Sequence, residues 1–235
     1  MYFLYLLAGI IPSLIWLFVY LRKDSHPESN SMIARVFLLG MLVSLPVIAV
    51  QFGFFALTKK LPLPNELILI LNVFFGIALS EEFFKYLVVK WGVLFHPELD
   101  EPIDLVLYMI ISALGFAASE NIFLLFRDHP LLEVPEVLST AALRFVGATF
   151  LHALCSAVVG FFLALSLLEI NRRHRFLFLG LIISTTLHGL YDFSIITMGD
   201  YLRLVIPVLV LISLAIFVSL TFNKLKRLKS VCRAK

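Results

Sequence analysis

Residues 66–95 read ELILILNVFFGIALSEEFFKYLVVKWGVLF, an apolar run interrupted at its centre by Glu81, Glu82 and Lys85. The run is long enough to cross about 30 Å of hydrocarbon as a helix, which takes roughly 20 residues. Its apolar residues follow one another without alternating, which excludes a strand of a membrane barrel. A charge at the middle of such a helix costs about 2.5–3.5 kcal/mol on insertion scales and is normally kept for a function. The fold is therefore expected to be a membrane bundle with a polar site inside it.

The rest of the chain agrees with that reading. Of its 235 residues 61% are hydrophobic and only 15% charged, and the mean hydropathy is +1.00. Soluble domains carry nearer a quarter charged residues. We expect an all-α, polytopic transmembrane helical bundle of about seven spans, forming a single membrane-embedded domain over residues 1–235. The spans are read as Tyr2–Leu21, Met32–Leu57, Glu66–Lys90 (extending as far as Phe95), Ile103–Phe126, Phe145–Leu168, Phe176–Met198 and Tyr201–Phe222. The region 137–170 is too long for one perpendicular span, so its start, through Arg144, is expected at the interface or in a polar cleft. No small-residue cleavage site follows the first span, which argues for a retained helix and not a removed signal peptide.

Cys155 lies in a span and Cys232 in the basic tail 223–235, so neither a disulfide framework nor a Cys-x-x-Cys metal motif is present. Basic residues are unevenly shared between the two sides. With seven spans, Arg22, Lys23, Arg172, Arg173, Arg175 and the tail's Lys224, Lys226, Arg227, Lys229, Arg233 and Lys235 fall on one side. Lys59, Lys60 and Arg127 fall on the other. The positive-inside rule then puts the C-terminus in the cytoplasm and the N-terminus outside. With six or eight spans the N-terminus changes sides. A basic tail of this kind suits an anionic membrane surface and implies no nucleic-acid partner.

Polar groups recur at similar depth in four spans. Counted from the end of each span that faces the cytoplasm, Glu82, Glu120, His152 and His188 lie roughly 12–26 Å deep at 1.5 Å per residue. Glu81 and Lys85 are four apart and share a helix face, as do His188 and Asp192, and His152 and Ser156. Gly160 allows close helix approach, and Gly115, Ala117, Ala118 and Ser119 suit tight packing beside Glu120. Carboxylates and imidazoles in a dry pocket can activate a water, either as general base and acid or around a divalent metal such as zinc. No His-Glu-x-x-His or Gly-x-Ser-x-Gly motif is present, and Tyr191-Asp192 lacks the Gly-x-Gly-Asp partner of an aspartyl intramembrane protease. Taken singly, the charged groups also admit a plainer role as ion pairs locking helices together. Arg144 and Asp104 read as snorkelling or boundary residues.

Four ordered motifs carry a resemblance. They are Glu81-Glu82-x-x-Lys85, Phe116-x-x-x-Glu120-Asn121, His152, and His188-Gly-x-x-Asp192, with Asp100-Glu101-Pro102-x-Asp104 before the fourth span. Together they resemble the PrsW family of bacterial intramembrane proteases, relatives of the CAAX-processing membrane proteases, over about residues 66–195. The resemblance implies a bacterial cytoplasmic membrane protein that makes the site-1 cut in a single-pass substrate such as an anti-sigma factor. It implies a catalytic core of Glu81, Glu82 and His188, with Lys85 tuning the pair. If a metal is used, Glu82, Glu120, His152, His188 and Asp192 are the candidate ligands. Two other readings of the same residues are a proton- or ion-coupled transporter and a CAAX-type peptide-processing protease. The absence of repeat halves argues against the transporter.

Overall fold

The computed structural model describes residues 2–23, 28–127, 133–199 and 201–225. Cys232 and most of the basic tail lie outside the described residues. Among those described, seven helical stretches are long and apolar enough to span a membrane, as the sequence leads one to expect. The elements are α1 (Tyr2–Leu21), α2 (Asn30–Thr58), α3 (Asn65–Leu71), a π-helical segment (Asn72–Leu79) and α4 (Ser80–Gly92). They continue with α5 (Pro102–Arg127), α6 (Val134–Val146), α7 (Ala148–Leu168), α8 (Arg173–Thr197) and α9 (Leu202–Leu225).

Two helices form the axis. Within their most apolar windows α5 is 72% buried and the α6–α7 stretch 78%, against 28–33% for the other spans. A helix that is apolar all round belongs inside. Small residues let the axis close up, because helices in lipid associate through packing and not through hydrophobic exclusion. A methyl group at Gly160 of α7 would stand 2.7 Å from the Val106 Cα of α5, and one at Gly115 of α5 would overlap the Phe37 carbonyl of α2. Helices α1, α2, α4, α8 and α9 surround this pair, and their outward faces, such as Phe3, Phe52, Phe178 and Leu204, are exposed for lipid.

The third span is one continuous stretch by composition but three by geometry. Between α3 and α4 the backbone adopts π-helical turns over residues 72–79. Such wide turns commonly mark functional sites. The segment is held by Thr58 Oγ1 donating to Asn72 Oδ1 at 2.7 Å, and Ser80 Oγ closes its end by donating to the Gly76 carbonyl at 2.6 Å. Glu81 and Glu82 follow immediately, in the first turn of α4.

The long region 134–168 is likewise divided, at Gly147, into an amphipathic α6 and a buried α7. Helix α6 opens with Glu133 and Glu136 in a reciprocal capping box, and Val137 is its one buried residue. At the opposite end of the bundle Asp104 caps α5, accepting from the amides of Asp100 at 3.1 Å and Glu101 at 2.7 Å. That is a boundary role.

Candidate active site

Glu82 is fully enclosed, with none of its side chain exposed. Lys85 Nζ donates to its Oε1 at 2.7 Å, Ser156 Oγ donates to its Oε2 at 2.8 Å, and His188 Nδ1 lies 3.0 Å from Oε1. Helices α4, α7 and α8 thus meet on one carboxylate. The shorter lysine contact is to Glu82, three residues back; Glu81, four back, stands 3.7 Å away.

Glu81 points into the same centre with its oxygens in different environments. Gln51 of α2 donates to Oε1 at 3.1 Å. Its Oε2 is buried and has no hydrogen-bond partner. Facing that oxygen are His152 Nδ1 and His188 Nε2, each at 3.8 Å. The two imidazole rings stand edge to face with centroids 5.0 Å apart.

The other nitrogen of each ring is held by a different carboxylate. Glu82 accepts from His188 Nδ1, and Glu120 Oε2 lies 2.8 Å from His152 Nε2. Carboxylates accept, so these contacts assign the ring protons to His188 Nδ1 and His152 Nε2 and leave the opposite lone pairs facing inward. Lys85 Nζ uses the one on His152 Nδ1, at 2.8 Å. Asp192 Oδ2, one turn after His188, stands 3.4 Å from its Nε2. Lys85 also lies over the Phe116 ring, 4.6 Å from its centroid.

Arg144 belongs to this centre and does not snorkel outward. Its Nη2 is 2.8 Å from Glu120 Oε2, without the alignment of a hydrogen bond, and its Nε donates to Asn121 Oδ1. Asn121 Nδ2 in turn donates to Thr149 Oγ1 at 3.1 Å. An arginine immediately before a predicted span looks interfacial in one dimension; the helix breaks at Gly147, and the guanidinium at the end of α6 reaches Glu120 and Asn121 of α5. Gln51, a single amide in an otherwise apolar stretch, also went unflagged by sequence, although a lone intramembrane amide is itself a signal.

The cluster forms one wall of a cavity of about 530 Å³, lined by Glu81, Glu120, Arg144, His152, His188 and Asp192 together with apolar residues of α6, α8 and α9. Glu82 and Lys85 lie behind that wall and do not line it. The cavity lies nearer the end of the bundle at which α5 and α8 finish. His188 is nine residues from the end of α8, and Glu120 seven from the end of α5.

A carboxylate–imidazole centre on a cavity inside a seven-span bundle defines a membrane-embedded enzyme. The profile of the PrsW family of intramembrane metalloproteases matches residues 28–220, and the chain belongs to that family. It is 32% identical over 205 residues to the Protease PrsW of Oceanobacillus iheyensis, covering 87% of this chain and 89% of that one. To the Protease PrsW of Geobacillus kaustophilus it is 30% identical over 80% of this chain and 78% of that one. To the Protease PrsW of Bacillus subtilis it is 27% identical over 86% and 88%. No solved structure matches the chain significantly. The protein is a multi-pass membrane protease that works in a lipid bilayer.

The family's chemistry implies a metal, and the residues present fit one. Glu81, His152 and His188 each offer a donor atom, all within 4.8 Å of one another and all buried; with Nε2 of His152 turned to Glu120, its donor is Nδ1, which would exchange its contact with Lys85 Nζ for the ion. Two imidazoles and a carboxylate are a common zinc set. The unpartnered Oε2 of Glu81 is the atom such an ion would satisfy. Carboxylates behind both histidines supply the outer support that metal-bound imidazoles usually have.

Proposed function

We propose that the protein is an endopeptidase of the bacterial cytoplasmic membrane, with its C-terminus in the cytoplasm. Its substrate is a single-pass membrane protein such as an anti-sigma factor, and it makes the site-1 cut on the extracytoplasmic side. The position of the cavity supports that side, because with a cytoplasmic C-terminus the finishing ends of α5 and α8 face outward.

The observation that carries the chemical reading is the unpartnered Glu81 Oε2, beside two imidazole nitrogens in the wall of the cavity. Glu81 takes a proton from the attacking water as its oxygen adds to the scissile carbonyl carbon. When the C–N bond breaks, that proton goes to the departing amine nitrogen. His188 and His152 hold the reacting groups in place. Glu82 fixes the His188 ring from behind, and Glu120 fixes His152. Lys85 offsets the charge of Glu82, which has no access to the cavity. Where Glu81 Oε2 serves instead as a ligand with His152 and His188, a divalent ion such as zinc would supply Lewis-acid polarisation and would lower the pKa of the water in place of Glu81 acting as base.

The test is cleavage of a panel of purified single-pass reporters in lipid nanodiscs, with and without chelator. Glu81→Gln and His188→Ala are each expected to lower the rate by about a thousandfold or more, the loss typical of a group acting at the reacting atoms. Cleavage that survives Glu81→Gln undiminished would remove Glu81 from the chemistry.

A further inference from the structure

The wall of the cavity opposite the acidic centre is made by the end of α6 and the beginning of α9, two segments that scarcely touch each other. Leu143 and Val146 on α6 line the cavity and are 76% and 61% exposed; Leu204 and Val208 on α9 line it and are 69% and 51% exposed. Exposed apolar residues are ordinary on a membrane protein. These four also border the chamber that holds Glu81, so the chamber opens sideways into the lipid and not only toward water.

Arg203 stands in the same rim, in the first turn of α9. It is exposed, and among the described residues its guanidinium makes no ion pair or side-chain hydrogen bond. Arg144, the cavity's other arginine, is already engaged with Glu120 and Asn121. The opening therefore pairs an apolar path with one uncommitted cation at the end nearest the proposed outer face. A lipid-embedded chain entering there would pass apolar side chains first and meet a positive charge near the water boundary.

We propose that the substrate's transmembrane segment enters between α6 and α9, lying on Leu143, Val146, Leu204 and Val208, and that Arg203 binds an acidic side chain flanking the cut. This rests on the reading of Glu81 and its neighbours as the active site, and it adds the class of sequence accepted: an apolar span followed by Asp or Glu. A guanidinium suits a carboxylate because it offers paired donors in one plane. Such a contact gains strength where lipid and protein exclude water.

Two measurements test the proposal. In the first, a photo-cross-linking residue is placed at Leu143, Leu204 or, as a control, Trp91 in the separate groove between α2 and α4. The background is Glu81→Gln, and the probe is a single-pass reporter with a leucine–alanine span. Capture of reporter at Leu143 and Leu204 but not at Trp91 is expected. Equal capture at all three positions, or capture of lipid alone at the rim, overturns the portal.

The second measurement scans one Asp, then one Lys, through the reporter's outer flank and records kcat/KM. Asp at one position should raise cleavage by about tenfold, and Arg203→Glu should transfer that preference to Lys at the same position. A flat scan, or an Asp preference that survives Arg203→Glu, overturns the role of Arg203. Arg203→Gln, with thermal unfolding as a check on folding, covers the case in which the charge reversal is not tolerated. Capture does not depend on chemistry, so failure of the active-site reading and failure of the portal are told apart.

Discussion

Glu82 lies 3.0 Å from His188 Nδ1 and shares no surface with the cavity that His188 lines. The two neighbouring glutamates therefore divide the work: Glu81 faces the reacting space, and Glu82 holds a ring that faces it. Substituting them should give different signatures. Glu82→Gln should lower metal affinity and activity by about 10–100-fold, the usual cost of losing a carboxylate behind a ligating histidine. Residual, measurable turnover in Glu82→Gln and none in Glu81→Gln is the expected pattern, read from single-turnover cleavage and metal titration.

Lys85 and Glu82 form a fully buried pair at 2.7 Å. Removing one partner leaves the other charge uncompensated, at a cost of about 3–5 kcal/mol. Glu82→Ala should thus lower the unfolding midpoint in detergent more than the double change with Lys85→Met does. A double variant as unstable as the sum of its parts would show that the pair contributes nothing jointly.

Arg144, Glu120 and His152 form a chain of contacts at 2.8 Å and 2.8 Å. Because each holds the next, losses along the chain should not add. Arg144→Ala and Glu120→Gln are each expected to cost about 10–100-fold in rate, and their combination little more. Arg144→Lys should recover part of the rate, since it restores the charge but not the planar fork that reaches Asn121. Full additivity in the double variant would assign the two residues separate roles.

The axis of the bundle sets the distance between Glu120 on α5 and His152 on α7. At Gly160 an added methyl would stand 2.7 Å from the Val106 Cα and 2.8 Å from the Leu105 carbonyl, both backbone atoms that cannot swing aside. Gly160→Ala should cost about 1–3 kcal/mol of stability and also lower activity, by moving α7 off α5. Gly53→Ala, where the new methyl meets nothing within 4 Å, is the control and should leave both unchanged. Thermal unfolding and reporter cleavage measure the two effects.

Metal removal gives a direct assay of the ligand set. Dialysis against a strong chelator should abolish cleavage, and zinc should restore it in the unmodified protein but not in His188→Ala. Elemental analysis should return one ion per chain, falling toward zero when His152 or His188 is changed. Full activity after exhaustive chelation would leave water activation to Glu81 and the histidines alone.

By itself the sequence determined the spans, and with them the kinds of residue at mid-membrane. Twenty apolar residues in a row have one stable form in lipid, a helix with every backbone group paired internally, so Tyr2–Leu21 could be read to the residue. The cost of burying charge in hydrocarbon likewise marked Glu81, Glu82, Lys85, Glu120 and His188. What helical spacing could not supply was the division of roles between adjacent groups. Glu81 and Glu82 are a hundred degrees apart on one helix, and which of them meets a cavity depends on how the π-helical turns at 72–79 set the phase of α4. Arg144 reads as a boundary residue in one dimension because it stands just before the apolar run, and only packing against α5 turns its guanidinium inward. Identity and depth are local properties of a helix in lipid, whereas the partners of a side chain are decided by which helices pack against it and at what rotation.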